Sequence, residues 1–384
     1  MHFYELTEFL RLSAVLNYQI GTKQLVWENI LSIVIGNSTI SSRDRTVLLA
    51  VMEFLGKAYG QRKRRIGSLS ILHPLRATAL LASSVKKPCL LDLVTELLHD
   101  NFEDFKPEKM TVKKWIKGKS KFDTFLNYFS YEEQDLLIER LKMLTRNPDE
   151  TYYEYIGRML DQSPKSPEVI RIKLADRLDN TLDMRIDLVD PLEKIDFFEQ
   201  LFQLMFNTNF DGYNPNMPHP APSAFNGAQR MYQLFKNTVL MSLIRRKIPL
   251  KNDQPTEKIF QYLARASMKE AQRNALHIFG YHERSVRKLR KLLIETMDYV
   301  LKGGIDSITS PKEGEKLDGL FISIFNHPER KFRESLLAEL YKDKPLMIEA
   351  SLAFIVIFLR FLNDPNYYIR GISEKGVHPE PFAR

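Results

Sequence analysis

Glycine, cysteine and long apolar runs are scarce in this sequence of 384 residues, and each shortage excludes a class of protein. Only 16 glycines occur, which favours helices over a turn-rich β architecture. The single cysteine, Cys89, excludes both an intramolecular disulfide framework and a cysteine-based zinc site. The longest apolar stretch, 350–362, is interrupted by Arg360. It is too short to span a bilayer, so it predicts a buried helix.

The N-terminal residues include early acidic side chains and no basic region ahead of an apolar segment, so no signal peptide is expected. Together with the single cysteine, this predicts a cytoplasmic protein with no membrane partner. The net charge of +8 suits a polyanionic partner, such as nucleic acid, a membrane surface or a highly phosphorylated small molecule. Mildly basic proteins often have no such partner, so charge alone does not choose among them.

Apolar residues recur with a period near 3.6 wherever a pattern is present, which predicts an all-α fold. We expect a helix after a cap at Ser42, a helix over 73–84 with Pro74 at its first position, and one continuous helix over 90–104. Further helices are expected in both halves of the chain, near 131–146, 151–163, 166–185, 190–206, 228–246, 256–280, 282–302, 330–341 and 346–362. One or two more helices should fill the first 40 residues.

The segment 207–227 contains four prolines and two glycines, so no long helix can cross it. It is the best domain boundary in the sequence. The predicted organisation is an N-terminal helical extension (1–42), a helical core domain (43–206), a linker (207–227) and a C-terminal helical domain (228–384).

Three short segments place polar residues where a core pattern would have apolar ones. They contain His73, then His99 with Asp100, and then Asp176. Taken singly, each is weak: a lone histidine is more often structural than a metal ligand, and a His-Asp pair occurs by chance. Together they supply two imidazoles and two carboxylates, a nitrogen and oxygen set that suits Mn²⁺, Fe²⁺ or Zn²⁺.

Two further carboxylates follow one helical turn after the second segment. Glu103 lies four residues after His99 and Asp104 four residues after Asp100, so each pair should share a helix face. Next to a metal that keeps coordination positions open for water, Glu103 and Asp104 would handle protons during hydrolysis. Asn180 likewise shares a face with Asp176.

These segments, RRIGSLSILHPLRATALL, LLHDNFEDF and IKLADRLDNT, resemble the hydrolase domain of the Rel/SpoT alarmone enzymes and of the small alarmone hydrolases, which belong to the HD superfamily. The resemblance covers about 45–190. It implies an HD helical core in which His73, His99, Asp100 and Asp176 bind one metal ion, typically Mn²⁺. It also implies that Glu103 and Asp104 are catalytic, that Asn180 contacts the nucleotide, and that Arg64 lines the substrate pocket.

A run of four cations, 62–65, precedes the first histidine. Arg64 and Arg65 are predicted to bind the phosphates of the substrate, against the alternative of a solvated basic loop. Tyr59 stands where the family has a histidine. The sequence after Asn180 also departs from the family pattern, which leaves guanine specificity open.

The activity that the resemblance implies is removal of the 3′-pyrophosphate from ppGpp or pppGpp, in a chain without a recognisable synthetase segment. Two alternatives remain: hydrolysis of another nucleotide, such as a dNTP or NADPH, or a non-catalytic nucleotide sensor. A basic segment in the C-terminal half, 284–291, suits either a solvated helix face or an RNA or protein partner. The sequence does not define the oligomeric state.

Overall fold

The computed structural model describes residues 4–22, 24–64, 67–105, 108, 111–184, 190–207, 225–248, 250, 253–282, 285–327 and 329–379. The fold is all-α, as predicted. In the described part of the chain the only strands are a two-residue pair, β1 (Ile372–Ser373) and β2 (Gly376–Val377).

Ten of the α-helices precede residue 183: α1 (Leu6–Gly21), α2 (Trp27–Ile35), α3 (Ser42–Tyr59), α4 (Leu72–Ser84), α5 (Leu90–Leu98), α6 (Asn101–Asp104), α7 (Val112–Leu126), α8 (Tyr131–Leu144), α9 (Tyr152–Gln162) and α10 (Glu168–Leu182). The others are α11 (Phe197–Phe206), α12 (Gly227–Lys247), α13 (Gln254–Tyr281), α14 (Val286–Leu301), α15 (Arg330–Lys342) and α16 (Lys344–Asn363).

The chain forms two compact units. The first comprises Met1–Leu182 and Leu250–Tyr262, and the second Asp183–Pro249 and Leu263–Arg384. Helix α13 therefore begins in the first unit and ends in the second. Most of the predicted linker, 208–224, lies outside the described residues, so the predicted domain boundaries stay a prediction.

Helix α4 is the central helix of the first unit. It packs against α2, α5 and α10, and its side chains are buried on every side except at Ser83. A helix that is buried all round must satisfy its polar groups internally. Arg76, in the middle of α4, is the largest of these groups and is only 1% exposed.

Local capping explains where several helices begin. Ser41, Ser130 and Thr151 each cap a helix in a reciprocal capping box with an acidic residue three positions later. The cap of α3 is thus Ser41 rather than the expected Ser42, because the Ser41 hydroxyl accepts the backbone N–H of Asp44.

Two of the predicted boundaries were wrong near the polar segments. Helix α4 begins at Leu72, so Pro74 is its third residue, a position whose N–H has no partner within the helix. The expected helix over 90–104 is instead two helices, α5 and α6, separated at His99 and Asp100.

In the second unit, α12, α14 and α15 pack against α16. Helix α16 is long and apolar enough to cross a membrane by length and composition, but 67% of its apolar window is buried inside the fold. This is the burial of a core helix, as the sequence predicted for the stretch 350–362. Buried ion pairs join Arg230 to Glu270 and Arg273 to Asp190 within this unit.

Candidate metal centre

Three elements of the first unit bring the predicted metal ligands together. His73 is the second residue of α4, His99 and Asp100 lie at the break between α5 and α6, and Asp176 lies in the middle of α10. Helix α4 packs directly on both α5 and α10. His99 and Asp100 both keep α-region backbone angles where α5 ends and α6 begins, and both side chains reach the imidazole Nε2 atoms.

The carboxylate oxygens of Asp100 and Asp176 lie 3.3–3.8 Å from the imidazole Nε2 atoms of His73 and His99. The Nε2 atoms of His73 and His99 are 3.2 Å apart, and Oδ1 of Asp176 lies 3.3 Å from the first and 3.8 Å from the second. Asp100 places Oδ1 3.3 Å from His99 Nε2 and Oδ2 3.6 Å from His73 Nε2. Bonds of about 2.0–2.2 Å to one cation would separate neighbouring ligand atoms by about 3.0–3.5 Å. His73, His99 and Asp176 therefore fit a single divalent cation, and Asp100 lies beside them as a further carboxylate.

Hydrogen bonds at the other ring nitrogens define the state of both imidazoles. Nδ1 of His73 lies 2.6 Å from Oδ2 of Asp179, and Nδ1 of His99 lies 2.7 Å from the carbonyl oxygen of Glu96. Both partners are acceptors, so we assign the N–H of each neutral ring to Nδ1. The two Nε2 atoms then direct lone pairs at each other, which is unfavourable unless a proton or a cation lies between them.

The carboxylate of Asp176 is oriented by two donors in its own helix. Lys173 donates to Oδ2 at 2.7 Å, and Asn180 donates to Oδ1 at 2.5 Å. Burial opposes ionisation of Asp176, but Lys173 and the two histidines outweigh it and hold the pKa of that carboxyl well below its usual range. The surroundings of Asp176 thus favour its charged form, with Oδ1 toward the imidazoles.

Asp179 and Arg76 hold the His73 ring on the side away from the other ligands. Arg76 donates from Nε to Oδ1 and from Nη2 to Oδ2 of Asp179, and its guanidinium lies over the Phe9 ring at 4.8 Å. Asp179 is fully buried. Burial disfavours its charge, but Arg76 and His73 outweigh burial and lower its pKa to about 2. We did not predict Asp179, Arg76 or Lys173 as site residues. Each lies three residues from a predicted ligand, so the helical spacing was a usable signal.

Electrostatics at the centre favour a positive charge between the ligands. Burial works against protonated His99, but Asp100 and Asp176 outweigh it, so the pKa of His99 is raised. The pKa of His73 is raised as well: burial and Arg64 oppose protonation, while Asp179 and Asp176 favour it. A divalent cation would supply the same charge in place of a proton.

Glu96 is a further acidic group next to this centre. Its carboxyl is fully buried, and no described residue forms a hydrogen bond to either oxygen. Burial first, and then the neighbouring Asp176 carboxylate, raise the pKa of Glu96 well above its usual range. Its Oε1 is 3.7 Å from Nδ1 of His99.

The two predicted catalytic carboxylates lie on α6, next to the ligands. Asp104 accepts the hydroxyl of Tyr59 and a guanidinium N–H of Arg62, each at 3.0 Å. Glu103 accepts the backbone N–H of Arg146 at 2.8 Å. Both are partly exposed, so solvent and a ligand can reach them.

The predicted substrate contacts are only partly described. Nη2 of Arg64 donates to Oδ1 of Asn180 at 2.8 Å, and its Nη1 lies 3.7 Å from Asp179. Asn180 thus joins Arg64 to the ligand Asp176. Arg65 lies outside the described residues. The roles of Arg64, Arg65 and Asn180 in substrate binding stay predictions.

In the part of the chain that the structure describes, His73, His99 and Asp176 form a buried set of metal-type ligands whose atoms all lie within 4.8 Å, and Asp100 adds a fourth, partly exposed carboxylate. The arrangement is chemically suited to hold one cation. No protein-family model matches this chain, and no curated protein matches it.

Proposed function

We propose that this chain is a metal-dependent phosphohydrolase of the HD superfamily, with His73, His99, Asp100 and Asp176 as the ligands of one divalent cation. The observation that carries the proposal is the approach of two imidazole Nε2 atoms to 3.2 Å while both Nδ1 atoms are occupied by acceptors. Nitrogen and oxygen ligands suit Mn²⁺, with Fe²⁺ and Zn²⁺ as alternatives.

A cation bound here would supply Lewis-acid activation of water and neutralisation of phosphate charge. The chain's own groups supply the rest. Asp104 is held by Tyr59 and Arg62, and Glu103 by the Arg146 amide. In this proposal the two carboxylates would accept a proton from water and return one to the leaving group. Arg64, which donates to Asn180, would stabilise charge that develops on a phosphate.

The proposed reaction is hydrolysis of the 3′-pyrophosphate of ppGpp or pppGpp, which consumes one water and releases pyrophosphate with GDP or GTP. The resemblance of the three polar segments to alarmone hydrolases supports this substrate. The cations Arg62 and Arg64 next to the centre support a highly anionic ligand. A cytoplasmic location would suit such a substrate and the single cysteine.

The test is release of pyrophosphate and phosphate from ppGpp, pppGpp, dNTPs and NADPH in the presence of Mn²⁺. We expect pyrophosphate from ppGpp and a loss of at least about 10³-fold in kcat for His99→Ala and Asp100→Ala. Asp135→Ala, an exposed aspartate on α8, is the matched control and should keep full activity.

Different outcomes have different meanings. Turnover of another nucleotide, abolished by Asp100→Ala, would keep the metal site and replace the substrate. Full activity of His99→Ala on any substrate would contradict the site. Tight binding of ppGpp with Mn²⁺ and no turnover of any nucleotide would instead indicate a sensor.

A further inference from the structure

A cavity of about 1200 Å³ lies next to the candidate metal centre, inside the first unit. It is bounded by the C-terminal end of α3, by α6 and by α7. Asp104 and Asn101 line it, and the backbone N–H of Asp104 donates to the carbonyl oxygen of the ligand Asp100 at 2.8 Å. One helical turn, about 5–6 Å, therefore separates the cavity wall from a metal ligand.

Aromatic rings form much of the cavity wall: Phe54, Tyr59, Phe102, Phe105, Trp115 and Phe122. They contact one another in pairs, with centroids 5.2 Å apart for Tyr59 and Phe105 and 6.0 Å apart for Phe102 and Phe122. Phe102, Phe105 and Trp115 are only half-buried, so part of each ring is open to the cavity. Flat, partly exposed rings offer a stacking surface for another planar ring.

Cations outnumber carboxylates around the same cavity. The lining contains four cations (Lys57, Arg62, Lys119 and Lys121) and two carboxylates (Asp104 and Asp123). Lys57 pairs with Glu53, and Arg62 pairs with Asp104.

Lys119 and Lys121 form no ion pair with any residue that the structure describes. The Lys119 ammonium lies 5.6 Å from the centre of the Trp115 ring. The cavity thus combines exposed rings with two lysines that no described carboxylate pairs, which suits a ligand that is both planar and anionic.

We propose that this cavity, lined by Phe102, Phe105, Trp115, Lys119 and Lys121, binds the base and nearest phosphates of a nucleotide substrate. The reacting phosphate would then extend past Asp104 to the metal centre. This inference rests on the proposed function for the reaction at the metal, whereas binding of an aromatic anion in the cavity does not depend on it.

Trp115 gives a direct measurement, because Trp27 is the only other tryptophan in the chain. In a Trp27→Phe variant of the full chain, we expect GDP or ADP to change the Trp115 emission in a saturable way. Inorganic pyrophosphate, which lacks a ring, should not do so at the same concentrations.

The double variant Lys119→Glu/Lys121→Glu, made in the same background, should weaken nucleotide binding by at least about tenfold, because it reverses two charges next to an anion. The matched control is Lys86→Glu/Lys87→Glu, which reverses two exposed lysines elsewhere in the first unit. It should leave binding unchanged. Thermal unfolding of both variants checks that the lysine substitutions leave the fold intact.

The result that overturns the cavity assignment is specific. It is an unchanged Trp115 emission with GDP and ADP, together with an unchanged KM in Lys119→Glu/Lys121→Glu for a nucleotide whose hydrolysis requires His99. That result would leave the proposed function standing. Conversely, nucleotide binding that depends on Lys119 and Lys121, with no turnover of any nucleotide, would support the cavity and contradict the proposed function.

Discussion

At the residue scale, the candidate centre depends on side chains that do not face the metal position. Asp179 holds His73 through Nδ1, and Arg76 holds Asp179 through two hydrogen bonds. Such a carboxylate–histidine pair fixes the tautomer and the ring orientation of a ligand. Lys173 orients Asp176 in a similar way. Its ammonium donates to Oδ2 of Asp176, and Oδ1 points toward the imidazoles.

Replacement of Asp179 by asparagine tests this support. The neutral amide removes the charge that favours an N–H on Nδ1, so Nε2 of His73 becomes a poorer ligand. We expect Asp179→Asn to weaken Mn²⁺ binding by about 10–100-fold. Calorimetric titration of the metal-free protein with Mn²⁺ measures this without any assay of activity.

The matched control for that titration is Asp135→Asn, which removes the charge of an exposed aspartate on α8. Its affinity for Mn²⁺ should equal that of the unchanged protein. An Asp179→Asn variant that bound Mn²⁺ as tightly as the control would show that His73 needs no such partner.

At the element scale, helix ends decide how the site is built. His99 and Asp100 lie between the end of α5 and the start of α6, and α6 adds Glu103 and Asp104 one turn later. Helix α9 contributes from the other side: the ring of Tyr155 lies 5.1 Å from the Lys173 ammonium, and its hydroxyl donates to the Leu144 carbonyl. The start of α9 therefore matters to the surroundings of Lys173.

Thr151 caps α9 and offers a test of that element. Its hydroxyl accepts the backbone N–H of Glu154, and the Glu154 carboxylate accepts the backbone N–H of Thr151. Thr151→Ala should lower the free energy of unfolding by about 1 kcal/mol, within a range of about 0.5–2 kcal/mol. Thr151→Ser keeps the hydroxyl and should restore most of the loss in urea denaturation. Equal losses for alanine and serine would contradict the capping role.

At the scale of the whole molecule, the two compact units have different polar interiors. The first buries the candidate metal centre around α4, and the second buries Arg230 with Glu270 and Arg273 with Asp190. Breaking a buried ion pair leaves a charge without a partner in the protein interior, which is costly. Each network therefore stabilises the packing within its own unit.

The second unit also contains a carboxyl group that makes stability depend on pH. Burial, followed by the nearby Glu295, Asp343 and Glu315 carboxylates, raises the pKa of Glu349 from 4.5 to about 7, and Lys316 acts in the opposite direction. Because the pKa is higher in the folded state, the folded protein binds the proton more tightly. The resulting stability is fully present below pH 4.5 and is lost as pH rises toward 7.

Glu349→Gln removes this titration. We expect the free energy of unfolding of the unchanged protein, relative to the variant, to fall between pH 4.5 and about 7 and to level off above it. Urea denaturation at pH 5 and pH 8 measures the difference. Glu339→Gln, an exposed position on α15, serves as the control. A constant difference between Glu349→Gln and the unchanged protein at both pH values would contradict the prediction.

The sequence by itself determined the all-α class and the approximate positions of most helices, because apolar spacing and capping residues are local properties. It also selected His73, His99, Asp100 and Asp176, which lie in three separate segments and meet in the fold. These residues were identifiable because a polar side chain on an otherwise apolar face is costly to bury without a partner.

Only the tertiary structure decided which partners those polar residues have. The pairing of Asp179 with His73 joins residues that are 106 positions apart, and that of Arg64 with Asn180 spans 116 positions. The cavity lined by Phe102 and Trp115 likewise requires α3, α6 and α7 to be adjacent. Local propensities cannot encode such neighbours, because they arise where helices distant in sequence pack together, as α4 does with α10 and α3 with α7.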